Sequence, residues 1–288
     1  MEIKKISINE EGYPELLRKI PNPPKIIYVQ GVLTPKENRF AVVGTRRYSS
    51  YGKQVAMDLS GDLSEAGLII VSGLAPGIDT FSHQAVIERN KRTIAVLGTG
   101  LDEKSLYPKS NIKLARKIIE MGGCLISEYP EGTRGTKFTF PQRNRIISGL
   151  SLGVLVVEAK IKSGSLITAE EAFRQKRKVF AVPGQIYSPN SAGCHFLLKK
   201  GAILADNADD IIRGLSIPKL SLEKKFVFDG NPEEILILRC LKEGGLHIDR
   251  VIEKTKLPAK KVVGLLSILE IKGKVKNLGA NIYAISNR

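Results

Sequence analysis

The chain has 288 residues, more than one hydrophobic core usually requires, so we predict a large domain and a small one. Apolar residues make up 42% and charged residues 26% of the sequence, which excludes a disordered chain and a collagen-like one. Lys and Arg outnumber Asp and Glu by 45 to 29, a net charge of +16. Such a surplus favours a polyanionic partner such as nucleic acid, although a lysine-rich surface that only promotes solubility remains an alternative.

The sequence has no uninterrupted apolar stretch of about 18 residues, and its first residues lead into no signal-like segment. We therefore expect a cytoplasmic protein with no membrane partner. The three cysteines, Cys124, Cys194 and Cys240, are odd in number and far apart, without a CxxC pair. This spacing supports neither a disulfide framework nor a zinc site, so we expect ordinary buried thiols and no bound metal.

The beginning of the chain is rich in proline. Pro14, Pro21, Pro23, Pro24 and Pro35 all fall within the first 39 residues. Proline lacks a backbone N–H and breaks helices, so no long helix can form there. We predict that residues 1–39 form an irregular lead-in with a single candidate strand at 26–29.

Residues 40–215 repeat one pattern, in which a short apolar run, a glycine turn and a longer segment of helical periodicity follow one another. This repetition predicts an α/β domain. The apolar runs do not alternate with polar residues, as expected of strands that are buried on both faces of a parallel sheet. The predicted strands are 40–43, 68–71, 93–97, 124–127, 154–157 and 179–182.

The last part of the chain has a different pattern. Residues 216–230 are polar and lack the glycine rhythm, which predicts a linker. Residues 231–288 follow the pattern of three short helices closed by a β-hairpin, the arrangement of a winged helix. The helices are predicted at 232–242, 247–254 and 258–271, and the hairpin strands at 273–276 and 281–285.

Glycine turns follow the first three predicted strands of the α/β domain, beginning at Gly44, Gly73 and Gly98. Backbone N–H groups face the crevice at such strand ends, and glycine lets an anion approach them closely. Arg46 can add a bidentate contact to a phosphate. Tight turns without a ligand are the alternative, and for the turn at Gly98 the two readings are about equal.

Two nucleotide-binding motifs are absent. The first strand is followed by GTRRYS rather than GxGxxG, and no GxxxxGK[ST] loop occurs. We therefore expect neither a nicotinamide cofactor nor ATP hydrolysis, and no cofactor at all.

The segment 138–150 reads FTFPQRNRIISGL and follows Arg134 and Lys137. Aromatic rings among cations are typical of proteins that stack the bases of a single strand and hold its phosphates, each stack being worth about 1–3 kcal/mol. In the alternative, Phe138 and Phe140 pack into the core while the arginines cap helices or form ion pairs. We expect this packing role for one of the two rings.

A second candidate phosphate site lies at 158–170, where a strand, a Ser/Gly turn and a helix start follow one another. Ser163 and Ser165 can cap the helix, and its free N–H groups form an anion nest. Capping alone would explain the serines. It would not explain the cations Lys160 and Lys162 beside this terminus.

The sequence offers few candidates for catalysis. Its only histidines are His83, His195 and His247, and none occurs in a recognisable catalytic motif. We expect His83 to be a packed or N-terminal helix residue. No spacing pairs the carboxylates, so we expect no enzymatic activity.

These segments together resemble the DNA-processing protein A (DprA/Smf) family over roughly residues 13–212. The matching segments are YPELL (13–17), VGTR (43–46), SGLAPGID (72–79), FPQRNRIISGLS (140–151), VVEA (156–159), SGSLITA (163–169) and FAVPG (180–184). The resemblance implies an extended Rossmann-like parallel-sheet domain without a nucleotide cofactor, followed here by the small C-terminal winged-helix domain. It also implies a homodimer that binds single-stranded DNA, protects incoming strands in natural transformation and DNA recombination, and loads a RecA-type recombinase.

The resemblance and the residue chemistry together predict a DNA-binding site without a catalytic residue. Its members are Arg46, Gly73, Ala75, Gly77, Lys137, Phe140, Arg143, Arg145, Lys160, Ser163, Gly164 and Ser165. We expect Phe140 to stack on a base, and we expect replacement of Arg143 by alanine to weaken binding whatever the DNA sequence.

Two other functions fit parts of the sequence. The glycine-rich crevice with Glu158 looks like the phosphate end of Rossmann-like nucleotide phosphoribohydrolases, which would release a free base from a nucleoside monophosphate. Alternatively, the winged helix acts as a transcription regulator, with the larger domain as its sensor. Its lysines suit contact with duplex DNA, but a solvated helix face explains them equally well. The aromatic and cationic segment and the net charge favour a polymer over a mononucleotide.

Overall fold

The computed structural model describes residues 2–217, 230–241 and 244–285. By its internal contacts the chain divides into two compact units, Met1–Leu222 and Glu223–Arg288. The predicted linker at 216–230 lies outside the described residues except for positions 216, 217 and 230. No helix in the described ranges is long and apolar enough to cross a membrane.

A mixed sheet forms the centre of the larger unit. Its strands, among the residues described, are β1 (Ile3–Ser7), β2 (Ile26–Gly31), β3 (Arg39–Val43), β4 (Ile69–Ser72), β5 (Thr93–Leu97), β6 (Cys124–Ser127), β7 (Gly153–Val156), β8 (Lys178–Ala181) and β9 (Ile203–Leu204). Their spatial order is β1-β2-β6-β5-β4-β3-β7-β8-β9. The pairs β1–β2 and β2–β6 are antiparallel, and all the other neighbours are parallel. The predicted α/β class, with a mostly parallel sheet, is confirmed.

Helices pack on both faces of this sheet. They are α1 (Glu15–Arg18), α2 (Ser50–Glu65), α3 (Ile78–Glu88), α4 (Ile112–Glu120), α5 (Thr139–Gly149), α6 (Gly164–Arg174), α7 (Ala192–Lys199) and α8 (Ala208–Leu215), with a 3₁₀ turn at Lys109–Asn111. Strand β3 contains the apolar run that predicted it, and all its residues are buried. Ala41 and Val43 enter one apolar core while Phe40 and Val42 enter the core on the opposite face.

The order of the strands reverses next to β3. The chain runs outward from β3 through β4 and β5 to β6, and then returns to place β7 on the other side of β3. Val43 of β3 therefore pairs with Val156 of β7. In open α/β sheets the crevice at such a switch point, beyond the carboxyl ends of the strands, is where ligands bind.

Contrary to the prediction of an irregular lead-in, residues 3–31 contribute two strands to the large sheet. Strand β2 includes the predicted 26–29 segment and pairs with β6, and β1 adds to it as an edge strand. Tyr13 is fully buried and donates a hydrogen bond to the carbonyl of Pro24 (2.7 Å). The prolines lie between and after the two strands, so they exclude a long helix without preventing sheet formation.

The smaller unit contains the predicted three helices and hairpin. Its elements in the described ranges are α9 (Pro232–Cys240), β10 (Leu246–His247), α10 (Ile248–Thr255), α11 (Ala259–Ile271), β11 (Val275–Asn277) and β12 (Ile282–Ile285). The strands form an antiparallel sheet in the order β10-β12-β11. Ile237, Val251, Val262 and Leu266 belong to an apolar cluster confined to this unit. The winged-helix prediction is confirmed.

Candidate nucleic-acid interface

A cleft of about 540 Å³ opens at the carboxyl ends of β3 and β7. Its walls are the turn after β3, the loop between β4 and α3, the first half of α5 with the residue Lys137 before it, and the turn that leads into α6. The cleft therefore lies at the switch point of the sheet. It brings together nine of the predicted site residues, namely Arg46, Ala75, Lys137, Phe140, Arg143, Lys160, Ser163, Gly164 and Ser165.

Exposed cations line the cleft: Arg46, Arg47, Lys137, Lys160 and Lys162. Within the described part of the chain, none of these five side chains forms an ion pair with a carboxylate. Their charge is therefore available to an anionic ligand. Arg47 and Lys162 are not among the predicted site residues. Each shares a turn with a predicted cation, Arg46 or Lys160, and this proximity in sequence could have identified them.

Phe140 is held in the cleft by two glycines that leave room for its ring. A Cβ on Gly135 would lie 2.5 Å from Cζ of Phe140, and one on Gly98 would lie 2.9 Å from its Cδ1. The ring is half-buried, and the guanidinium carbon of Arg46 lies 5.8 Å from its centroid. Phe138, by contrast, is 66% exposed. Of the two rings, Phe140 is thus the one that packs, and it does so as part of the cleft wall.

Arg143 forms the floor of the cleft and is almost completely buried. Its Nη1 donates hydrogen bonds to the carbonyl oxygens of Gly73 (2.7 Å) and Val96, and its Nε donates to Oδ1 of Asn144 (3.2 Å). Burial lowers the pKa of Arg143 to about 10, with the carboxylate of Asp79 acting in the opposite direction. The side chain remains protonated at neutral pH, so a positive charge lies beneath the exposed cations.

Three predicted site residues lie outside the cleft lining. Gly73 lies against the guanidinium of Arg143, where a Cβ would approach its Nη1 to 2.6 Å. Gly77 has a φ of +88° and lies against the backbone of Thr45 and Arg46. Arg145 forms an ion pair with Glu128 (2.6 Å) and lines a separate cleft. Two of the three therefore position other groups of the cleft, and the third belongs to a different surface.

The N-terminus of α6 forms the opposite wall of the cleft. Oγ of Ser163 accepts a hydrogen bond from the backbone N–H of Ser165 (3.4 Å) and lies 2.8 Å from its Oγ. Nδ2 of Asn144 donates to the carbonyl of Gly164 (3.2 Å), which fixes the turn to α5. The partial positive charge of this helix end adds to that of Lys160 and Lys162.

The carboxylate of Glu158 does not line the cleft. Its Oε1 accepts a hydrogen bond from Oγ of Ser49 (2.5 Å), and its Oε2 accepts one from the backbone N–H of Ser49 (3.0 Å). Gly52 packs so closely that a Cβ there would lie 2.2 Å from Oε2. Glu158 thus fixes the start of α2 to the end of β7.

His83 is completely buried in α3. Oγ1 of Thr93 donates to the carbonyl of Ile70 (2.7 Å), so it accepts a hydrogen bond from Nδ1–H of His83 (2.8 Å). Burial, together with the charge of Arg143, lowers the pKa of His83 to about 3. This neutral histidine packs in the core, as the sequence indicates.

The winged-helix unit presents a less cationic surface than its lysine count suggests. Lys261 forms an ion pair with Glu233 (2.6 Å), and Lys272 forms one with Glu234 (2.8 Å). The exposed positions of α11 include the apolar residues Val263, Ile268 and Ile271.

Comparison with known proteins decides the family. Residues 4–216 match the family described as DNA recombination-mediator protein A, and residues 228–281 match the DprA winged helix domain. The chain belongs to the DNA recombination-mediator protein A family. The DprA/Smf resemblance of the sequence is therefore confirmed.

Relatives of this DprA/Smf chain are found in several bacteria. It is 39% identical to protein Smf of Escherichia coli over 277 residues, which are 93% of this chain and 74% of the relative. It is 44% identical to the DNA processing protein DprA of Bacillus subtilis over 74% of this chain and 71% of that protein.

Two solved DprA structures share its fold. DprA of Streptococcus pneumoniae is 42% identical, with a TM-score of 0.68 over 74% of both chains. DprA of Helicobacter pylori, whose structure concerns a single-stranded DNA binding mode, is 30% identical, with a TM-score of 0.66 over 74% of this chain and 95% of that one.

Proposed function

We propose that the cleft binds single-stranded DNA. The observation that carries this proposal is the set of five exposed cations that form no ion pair with any described residue and surround one half-buried aromatic ring. The cations and the N-terminus of α6 attract the phosphates of the strand. The ring of Phe140 offers a surface on which any base can stack. Arg143 and Arg46 both keep the cleft positive, one from the floor and one from the rim.

The same chemistry favours a single strand over a duplex. Stacking on Phe140 requires a base whose face is free, and bases in a duplex are already stacked on each other. The contacts available to the backbone are charges and N–H groups, which carry no sequence information. Binding should therefore depend little on sequence. The single-strand binding mode described for the Helicobacter pylori relative supports this proposal.

We further propose that the protein acts as a mediator in DNA recombination and natural transformation. In this role it protects incoming single strands, functions as a homodimer and loads a RecA-type recombinase. Membership of the recombination-mediator family and similarity to proteins named DNA processing protein DprA support the role. A direct test is whether the purified protein accelerates assembly of a RecA-type filament on a single strand that is already covered by single-strand-binding protein.

We propose that the cleft is not a catalytic site. A nucleotide phosphoribohydrolase would need a carboxylate directed at the sugar, and Glu158, the candidate for that role, instead accepts two hydrogen bonds from Ser49 at the start of α2. Release of a free base from nucleoside monophosphates would contradict this proposal.

The proposed function is tested by titrating a fluorescent oligothymidine, and its duplex counterpart, over a salt series. Replacing Arg46 and Lys160 with glutamine should weaken single-strand binding. It should also make the slope of log affinity against log salt about 1.4 less steep, because each single-strand phosphate contact contributes about 0.7. Lys91→Gln with Lys178→Gln is the matched control, since these exposed lysines lie at the amino ends of β5 and β8, away from the cleft.

The control variant should retain the wild-type slope. A wild type that shows a shallow salt slope, or prefers duplex DNA, would overturn the proposed function. Equal losses in both double variants would show that total charge, and not the cleft, determines binding.

A further inference from the structure

A second groove adjoins the cleft, and Lys137 and Phe140 line both. Its volume is about 630 Å³. Two loops form its walls, one between β5 and the 3₁₀ turn at Lys109–Asn111 and the other between β6 and α5. The other lining residues on which the argument depends are Lys104, Tyr107, Lys109 and Arg134.

The two walls are fixed to each other by hydrogen bonds. Oδ1 of Asp102 accepts from the backbone N–H of Gly132 in the opposite loop (2.8 Å), while its Oδ2 accepts from that of Ser105 in its own loop (3.0 Å). The backbone N–H of Gly100 donates to the carbonyl of Thr133 (2.9 Å). A ligand would therefore meet a groove that is already formed, which lowers the entropy cost of binding.

An exposed aromatic ring stands where the groove meets the cleft. Tyr107 is 47% exposed, and its ring centroid lies 5.6 Å from that of Phe140, with an angle of 49° between the planes. The two rings thus form neighbouring, differently inclined surfaces. Such a pair suits two bases of a flexible single strand, because consecutive bases can turn relative to each other.

The charges of the groove are predominantly positive. Neither Lys104 nor Arg134 forms an ion pair within the described ranges, and both are exposed. The nearby carboxylate of Glu103 is paired with Arg116 (2.6 Å), so its charge is largely compensated. The ammonium of Lys109 donates to the carbonyls of Glu103 and Lys104, which fixes the loop that carries Tyr107.

We propose that this groove is a second contact site for the single strand, along which the DNA continues after it leaves the cleft. Tyr107 stacks on the base that follows the one on Phe140, and Lys104 and Arg134 hold the adjoining phosphates. The inference rests on the proposed function of the cleft. The groove would bind further nucleotides of the same strand. The strand would then run from the cleft across Phe140 towards the loop that follows β5.

The test compares affinity for oligothymidines of increasing length, starting from the dinucleotide. In the wild type, affinity should rise with length until both the cleft and the groove are filled. In Tyr107→Ala the rise should end at a shorter length, and affinity for long strands should fall at least about 5-fold, the loss of one stacked base. Tyr107→Phe keeps the ring and should behave like the wild type.

The cations are tested separately. Lys104→Gln with Arg134→Gln should make the salt slope for a long strand about 1.4 less steep, whereas Lys91→Gln with Lys178→Gln should not. Thermal unfolding of each variant confirms that the fold is retained.

The possible failures can be told apart. If the wild type binds long single strands but Tyr107→Ala shows the same length dependence, the groove is not a contact site and the cleft proposal stands. If the wild type does not bind single strands at all, the proposed function fails, and this inference with it.

Discussion

Two arginines of the cleft have different tasks, although the sequence alone presents them as equivalent. The side chain of Arg46 is exposed at the rim, while that of Arg143 is buried and bonded to the carbonyls of Gly73 and Val96. An exposed guanidinium can move to meet a phosphate. A buried one that already holds the loop after β4 stabilises the cleft itself.

The variant Arg143→Ala should therefore be a stability variant first. It removes the hydrogen bonds that a charged donor makes to the carbonyls of Gly73 and Val96 and to Oδ1 of Asn144, and leaves these buried acceptors unsatisfied. We therefore expect a loss of about 3 kcal/mol or more in the free energy of unfolding. The measurement is urea unfolding, followed by circular dichroism. Any weakening of DNA binding should follow from this loss and from removal of the positive charge beneath the cleft.

Arg46→Gln provides the comparison, because it should weaken binding to single-stranded DNA while leaving unfolding unchanged. If Arg143→Ala instead unfolded like the wild type and only lost affinity, the guanidinium would be a direct phosphate ligand, as the sequence first suggested.

At the scale of the elements, the cleft depends on how the turn after β3 contacts the start of α3. The backbone N–H of Ile78 donates to the carbonyl of Thr45 (3.3 Å), and Gly77 has a φ of +88°. A Cβ on Gly77 would lie 2.5 Å from that carbonyl and 2.9 Å from Cα of Arg46. Gly77 thus holds the turn that carries Arg46 in place, although it does not itself line the cleft.

Replacing Gly77 with alanine should consequently displace this turn. We expect lower stability, because alanine is strained at positive φ, and weaker binding of oligothymidine as well, because Arg46 moves. Gly201→Ala is the matched control, since Gly201 also has a positive φ (+100°) but has nothing within 4 Å of an added Cβ. It should lose stability alone. If the two variants bound oligothymidine with equal affinity, Gly77 would not be needed to position Arg46.

For the molecule as a whole, the local sequence pattern predicted which segments are helices and which are strands. It did not predict the strands that depend on pairing with segments far away along the chain. The apolar runs after Phe40 marked the strands because burial on both faces excludes polar residues. The prediction for the lead-in was wrong because β2 pairs with β6, almost a hundred residues away along the chain, and β1 then pairs with β2. Burial of Arg143 was equally hidden, since a helix with several polar residues does not reveal which of them faces inward.

Many residues of the cleft could be predicted from the sequence, because the general geometry of a parallel sheet determines where they lie. Turns at strand ends converge in any sheet of this type, so Arg46 and the turn before α6 were expected to meet. The groove beside Tyr107 had no such signal, because the loop that carries it is held by Asp102 and Gly132 through contacts that only the fold creates.

The two units have separate apolar cores, which predicts that they can be separated. A chain truncated after residue 217 should fold and should retain the single-strand preference and the salt slope of the full chain, because the cleft and its charges lie entirely in the larger unit. The measurement is the oligothymidine and duplex titration in parallel for both chains, with thermal unfolding as the check on folding. If single-strand binding disappears from a truncated chain that is still folded, the winged-helix unit is needed for binding, and the residues of the cleft are not sufficient.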